Sequence, residues 1–330
     1  ANATSGLFSN DEFNRRFWNV GCTDFRNCVS SVAQSGYYDQ NIPEEIAKQW
    51  HCEPLFTALD GGDHLRAINQ SVSLSQGLVN YSGPAQVIKG WRHVKNDIGA
   101  VLTGMLGDII INSRFASNQP YYIGSGATST RYLSQLRDLT FPYENEELYY
   151  LYVRGFNCAN IGTLSVLQQK TETYSPFYDT DLLEFCLSIP KHWRHNYQLY
   201  DEWILSCYPQ AAQWLHNGQR KIGQHPKKIV LFGRSIPLVD VPKRCFWYLC
   251  KHLRIHDFYR QEIGSSMNPE DSWLATNIQL KKTLDDYFAS HLSILSSYPA
   301  LLNASRDLYE RGTAMEKFNV LTLLSALQLR

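Results

Sequence analysis

Two short stretches of the chain hold the side chains and spacings best suited to chemistry. Val101-Leu102-Thr103-Gly104-Met105-Leu106-Gly107-Asp108 runs from an apolar strand into a glycine-spaced turn that ends in a carboxylate. Such a turn can bring backbone N–H groups up to a phosphate, and the acid that closes it can offer an oxygen to Mg²⁺. Thr103, Gly104 and Gly107 are the candidate backbone contacts to a nucleotide, and Asp108 is the candidate metal ligand. The plainer reading is a strand-to-helix turn with Asp108 as helix cap. The second stretch is Glu172-Thr173-Tyr174-Ser175-Pro176-Phe177-Tyr178-Asp179, an acid followed by a proline–aromatic corner and a capping aspartate.

These residues need a scaffold that delivers strand ends to one place. Over the first 115 residues, short β-branched or apolar runs alternate with helical segments, the pattern of βαβ units and a parallel sheet. Residues 28–33 read as a strand, and 41–49 as a helix with Asn41 near the N-cap and Pro43 in its first turn. Residues 54–59 read as the next strand, closed by the Asp60-Gly61-Gly62-Asp63 turn, and 100–102 as another. From Tyr121 the apolar spacing becomes helical. Helices are expected over 179–188, 198–207 and 313–329, and the basic, glycine- and proline-rich stretch 217–244 reads as a loop or linker.

In this order, the two stretches resemble the synthetase domain of the asparagine synthetase family, in which a Ser-Gly-x-Gly-x-Asp turn precedes a Glu-x-Arg-x-Pro-Phe-x-Asp segment. The likeness covers Ile46–Asp60, Val101–Phe115, Arg154–Pro190 and, faintly, Gln198–Lys221. It implies an α/β fold: a parallel-sheet, adenine-nucleotide α-hydrolase-like (Rossmann-like) sandwich over residues 1–125, then a mostly helical region over 126–330. It also implies a carbon–nitrogen ligase, in which MgATP adenylates an aspartate-like carboxylate and ammonia displaces AMP to leave an amide. ATP and Mg²⁺ are the implied cofactors. Asp108 would hold the metal, and the backbone at Thr103, Gly104 and Gly107 would seat the nucleotide. Ser9, Asn10 and Asp11 occupy the place of the family's Ser-Gly-Gly-x-Asp-Ser pyrophosphate loop. Lys221 would offset phosphate charge, Glu172 would face the site, and a glutaminase domain or subunit outside these 330 residues would supply ammonia.

The chain departs from the family pattern at defined points. The acid expected after the turn's first glycine is Met105, the acid after Asp108 is Ile109, the arginine of the second segment is Tyr174, and the amino-terminal loop lacks its paired glycines. Met105 has no group able to act as a base. An alternative reading follows: a protein that keeps the fold as a binding or scaffolding module.

Composition sets outer bounds. With 44% hydrophobic residues in 330, the chain can build a substantial core. Lys+Arg and Asp+Glu are both 31, so total charge gives no argument for a nucleic-acid or anionic-membrane partner. The longest apolar runs fall short of the about 20 residues a membrane span requires. Eight cysteines, none in a CxxC pair, suit reduced thiols and a cytoplasmic location better than a disulfide set. Glycosylation sequons at Asn2, Asn69, Asn80 and Asn303 are consistent with chance in an Asn- and Ser-rich chain.

Overall fold

The computed structural model describes residues 28–49, 51–92, 99–112, 146–213, 215–216, 220–223, 228–231, 234–237, 241–242 and 266–329. The described residues open with a βαβ unit. Strand β1 (Cys28–Ala33) lies parallel to β2 (Glu53–Ala58), in register from Cys28 opposite Glu53 to Ala33 opposite Ala58, and helix α1 (Tyr38–Gln49) connects them. The helix begins three residues before the expected start, so Asn41 and Pro43 lie inside it. Its start is made by Gly36, at φ +79°, whose N–H donates to Gln40 Oε1 at 2.9 Å. Gln40 thus reaches back over the first turn as a capping-box residue does.

After β2 the Asp60–Arg66 3₁₀ segment turns on Gly61 and Gly62, at φ 72° and 73°, and leads into α2 (Ile68–Ser75) and α3 (Ser82–Arg92). These elements form one core with helices from the far end of the chain: α9 (Glu270–Thr276), α10 (Ile278–His291), α11 (Pro299–Arg311) and α12 (Ala314–Gln328). Leu59, Leu65, Val72 and Tyr81 meet Trp273, Leu280, Phe318 and Leu321 in that core, all nearly inaccessible. The Tyr81 and Phe318 rings meet edge-on with centroids 5.5 Å apart. Helix α12 begins at a full capping box of Thr313 and Glu316, close to the expected boundary. Elements on both sides of residue 125 therefore share this core.

Between the two ends run β3 (Ala100–Leu102), the short α4 (Gly107–Ile110), and α5 (Glu146–Tyr149), which continues as π-helix over Tyr150–Leu164 and ends with Ser165–Leu167. Strand β4 (Glu172–Tyr174), α6 (Thr180–Ser188), α7 (Lys191–Arg194) and α8 (Gln198–Cys207) follow. The α6 and α8 ranges agree with the sequence reading. Asp179 caps α6, its Oδ1 accepting from Leu182 N–H at 2.9 Å.

The stretch expected as a loop or linker, 217–244, contributes strands to two antiparallel hairpins among its described residues, the first of which begins just before it. Strand β5 (Leu215–His216) pairs with β6 (Arg220–Lys221), and β7 (Lys228–Leu231) with β8 (Arg234–Pro237). Lys228-Ile229-Val230-Leu231 carries the β-branched residues that favour a strand, and the surrounding basic residues obscured it. The described residues are mostly helical, with small two-stranded sheets of which β1–β2 and β3–β4 are parallel. Among the described residues no helix is long and apolar enough to cross a membrane.

Candidate functional site

The structure brings the two singled-out stretches together. β3 and β4 pair in parallel, with Ala100 opposite Glu172 and Leu102 opposite Tyr174. The contact extends past the strands. Thr171 Oγ1 donates to the Gly99 carbonyl at 2.7 Å, Thr103 N–H donates to the Tyr174 carbonyl at 2.8 Å, and Ser175 Oγ donates to the Met105 carbonyl at 2.7 Å. The glycine turn is thereby fastened to the proline–aromatic corner.

That corner also explains Gly107. A Cβ there would stand 2.7 Å from Phe177 Cε2, closer than real contacts allow. Gly107 is thus required by a side chain of the same protein. Gly155 plays the same part across the turn, since a Cβ on it would lie 2.7 Å from Leu106 Cδ2. Leu106 holds a left-handed conformation, φ 71°, which costs a leucine about 1–2 kcal/mol. Its side chain, only 2% exposed among Ile110, Leu151 and Cys186, offsets that cost by burial.

Beneath the turn lies a buried ion cluster. The Arg194 guanidinium, 1% exposed, pairs in two-pronged fashion with Glu147, Nη1 to Oε1 at 2.9 Å and Nη2 to Oε2 at 3.4 Å. It also donates to the Ile110 carbonyl at 3.3 Å and the Ile189 carbonyl at 3.1 Å. Lys191 Nζ stands 3.0 Å from Glu147 Oε2 as a second, less aligned cation. One guanidinium thus ties the end of α4 to α5 and α7.

The turn's capacity for phosphate can be read from its amides. Thr103 N–H is bound to Tyr174, Met105 N–H faces Thr103 Oγ1 at 3.4 Å, and Gly107 N–H donates to the Gly104 carbonyl at 3.1 Å. Three of the turn's donors are thus engaged within the protein. Asp108 is the second residue of α4 and directly follows the turn, as the strand–turn–acid order predicts.

The other candidates lie elsewhere. Glu172 is exposed at the start of β4, opposite Ala100 and thus at the end of the pair remote from the turn. Its carboxylate accepts a hydrogen bond from the Tyr174 hydroxyl, and that bond raises the pKa of the exposed phenol. An open groove of about 540 Å³ runs along residues 168–174 beside these two side chains and does not reach residues 103–107. The Lys221 backbone forms part of the β5–β6 hairpin, which is anchored to α8: Ile222 packs with Ile204, and Gly223 N–H donates to Asp201 Oδ2 at 3.3 Å. Ser9, Asn10 and Asp11 lie outside the described residues. His192 packs against Trp193, and among the described residues no three of His, Cys, Asp and Glu gather as a metal site.

Sequence reasoning missed Ser175, Thr171 and the Arg194–Glu147 pair. Ser175 sits inside the second stretch and was visible there as a hydroxyl before a proline. The ion pair spans α5 and α7 and has no signature in spacing. No protein-family model matches this chain, and no curated protein matches it at a significant level.

Proposed function

We propose that this chain is an asparagine synthetase-like protein in which the β3 turn serves as a structural joint, and that it works as a binding or scaffolding module rather than as an amide-forming ligase. The likeness is supported by the pairing of the two motif stretches, Leu102 opposite Tyr174. The loss of ligase chemistry is supported by one observation above the rest: where the family pattern has an acid and an arginine, Met105 is buried in the turn and Tyr174 is bonded to Glu172. The Thr103 N–H, bound to the Tyr174 carbonyl, is a turn amide already engaged in the ladder. The arrangement implied by this reading is a Rossmann-like sandwich in which the β1–β2 and β3–β4 ladders belong to one parallel sheet.

Two measurements test it. Calorimetric titration with MgATP should give no saturable heat at micromolar protein. Incubation with ATP, Mg²⁺, aspartate and ammonium chloride should release no pyrophosphate above a protein-free control. Low-micromolar MgATP binding together with pyrophosphate release would overturn the proposal and restore the ligase reading, with Asp108 as its metal ligand.

A further inference from the structure

Among the described residues β4 pairs with β3 on one side only, and the ladder shows which of its backbone groups are left over. In a parallel ladder the N–H and C=O of one residue point to the same side, and successive residues alternate. Thr103 N–H donates to the Tyr174 carbonyl, so Tyr174 and, two residues back, Glu172 turn their backbone toward β3. Thr173 between them turns its N–H and C=O the other way, where no described strand meets it. The open groove of about 540 Å³ along residues 168–174 runs past it. A strand side left in this state is a template for a further strand.

The neighbouring side chains state what an added strand should carry. Glu172 and Tyr174, two residues apart and so on one face, are exposed, as is Leu102 opposite Tyr174. Glu172 meets the Tyr174 hydroxyl but pairs with no Lys or Arg among the described residues. A segment laid antiparallel, with one residue opposite Thr173, sets its next residue beside Glu172 and its previous one beside Tyr174. A basic residue answers the carboxylate, and a β-branched residue suits the ring. A second copy of this chain, paired two-fold about Thr173, would instead bring Tyr174 to Glu172 and supply no cation.

We propose that the open side of β4 is a docking site for an extended peptide of the pattern β-branched, any residue, basic, bound by strand addition. The proposal rests on the reading of the chain as a binding module and names the partner; pyrophosphate release from MgATP would refute that reading without deciding the peptide result.

The probe is the capped pentapeptide Thr-Val-Thr-Arg-Thr, titrated to millimolar concentration into the full chain labelled with ¹⁵N-threonine. Saturable movement of the Thr173 amide signal is expected. Methylating the central threonine's nitrogen, which would bond the Thr173 carbonyl, should abolish that movement. Exchanging the peptide's arginine for glutamate should weaken binding about tenfold, and Glu172→Lys should reverse the preference. Thr173→Pro removes the outward N–H without touching a bond to β3, a place where a strand tolerates proline, and should abolish binding as read at the Thr171 amide. No movement, movement indifferent to methylation and charge, or a Thr173 signal that shifts with protein concentration alone through self-association overturns the proposal. If Thr173→Pro does not fold, the methylated peptide decides.

Discussion

Among the described residues, two turns share the same outward design and are built differently. Each follows a parallel strand, contains two glycines and ends in an aspartate: Asp60-Gly61-Gly62-Asp63 after β2, and Thr103 to Asp108 after β3. In the first, both left-handed positions are glycines, and a Cβ on Gly62 would meet Trp273 Cε3 at 3.0 Å. Asn277 clamps it from above, Nδ2 donating to the Gly61 carbonyl at 2.8 Å while Oδ1 caps α10 at Leu280 N–H. In the second, the left-handed position falls to Leu106, and the glycine that matters packs against Phe177. A glycine in a strand-to-helix turn shows that something comes close to the backbone. In both turns that something is a side chain from a distant part of the same chain.

The largest expected effect tests what holds the second turn. Glu147→Ala leaves the Arg194 guanidinium buried without its carboxylate and should cost about 3–5 kcal/mol in chemical denaturation. A loss under about 1 kcal/mol would show that the cluster does not brace the joint.

Next come the glycines themselves. Gly107→Ala and Gly62→Ala should each destabilise by about 1–3 kcal/mol, through crowding. Their rescue should differ. Adding Phe177→Leu should recover part of the Gly107→Ala loss because the ring is the obstacle. Trimming Trp273 should recover little at Gly62, where the positive φ stays unfavourable to any side chain. Equal rescue at both sites would erase the distinction between the turns.

The smallest effect is a pH dependence on the side of the first turn. Burial pushes Glu270 up from 4.5 to about 7, with Asp271 adding to the shift. It pushes His64, which packs edge-on against Trp273, down from 6.5 to about 3, with Lys89 adding to it. A raised carboxyl pKa means the folded state binds more protons, so the Glu270 contribution falls as pH rises from 4.5 through 7. A depressed histidine pKa has the opposite sign, and its contribution is lost as pH falls from 6.5 through 3. From pH 4.5 to 7 the Tm of the wild type should fall relative to that of Glu270→Gln, and parallel curves would exclude Glu270 as the cause.

Local elements were readable where pattern and punctuation agree. Cys28–Ala33, Thr180–Ser188 after its Asp179 cap, Gln198–Cys207 and the Thr313-capped α12 all follow from alternation, periodicity and caps. Pro43 misled, because a proline that usually opens a helix sits inside α1. The β5–β6 hairpin was hidden because two-residue strands carry no period. At the candidate site, the strand–turn–acid order was visible, but the Tyr174 carbonyl that takes the Thr103 N–H, the Ser175 hydroxyl on the Met105 carbonyl and the Phe177 ring against Gly107 all arrive from another part of the chain. No local rule reports that, nor the meeting of Glu147 with Arg194.

The pairing of Ala100 with Glu172 also has a temporal side. The partner that satisfies β3 is encoded far downstream, so during synthesis the first strand leaves the ribosome well before its mate exists. Closing that interval costs loop entropy before any ladder bond forms. Until Phe177 and Ser175 arrive, Leu106 has no reason to hold its left-handed backbone and Gly107 has no ring to accommodate. A chain arrested before Thr171 would therefore present an unpaired strand edge to any chaperone or neighbouring chain that meets it.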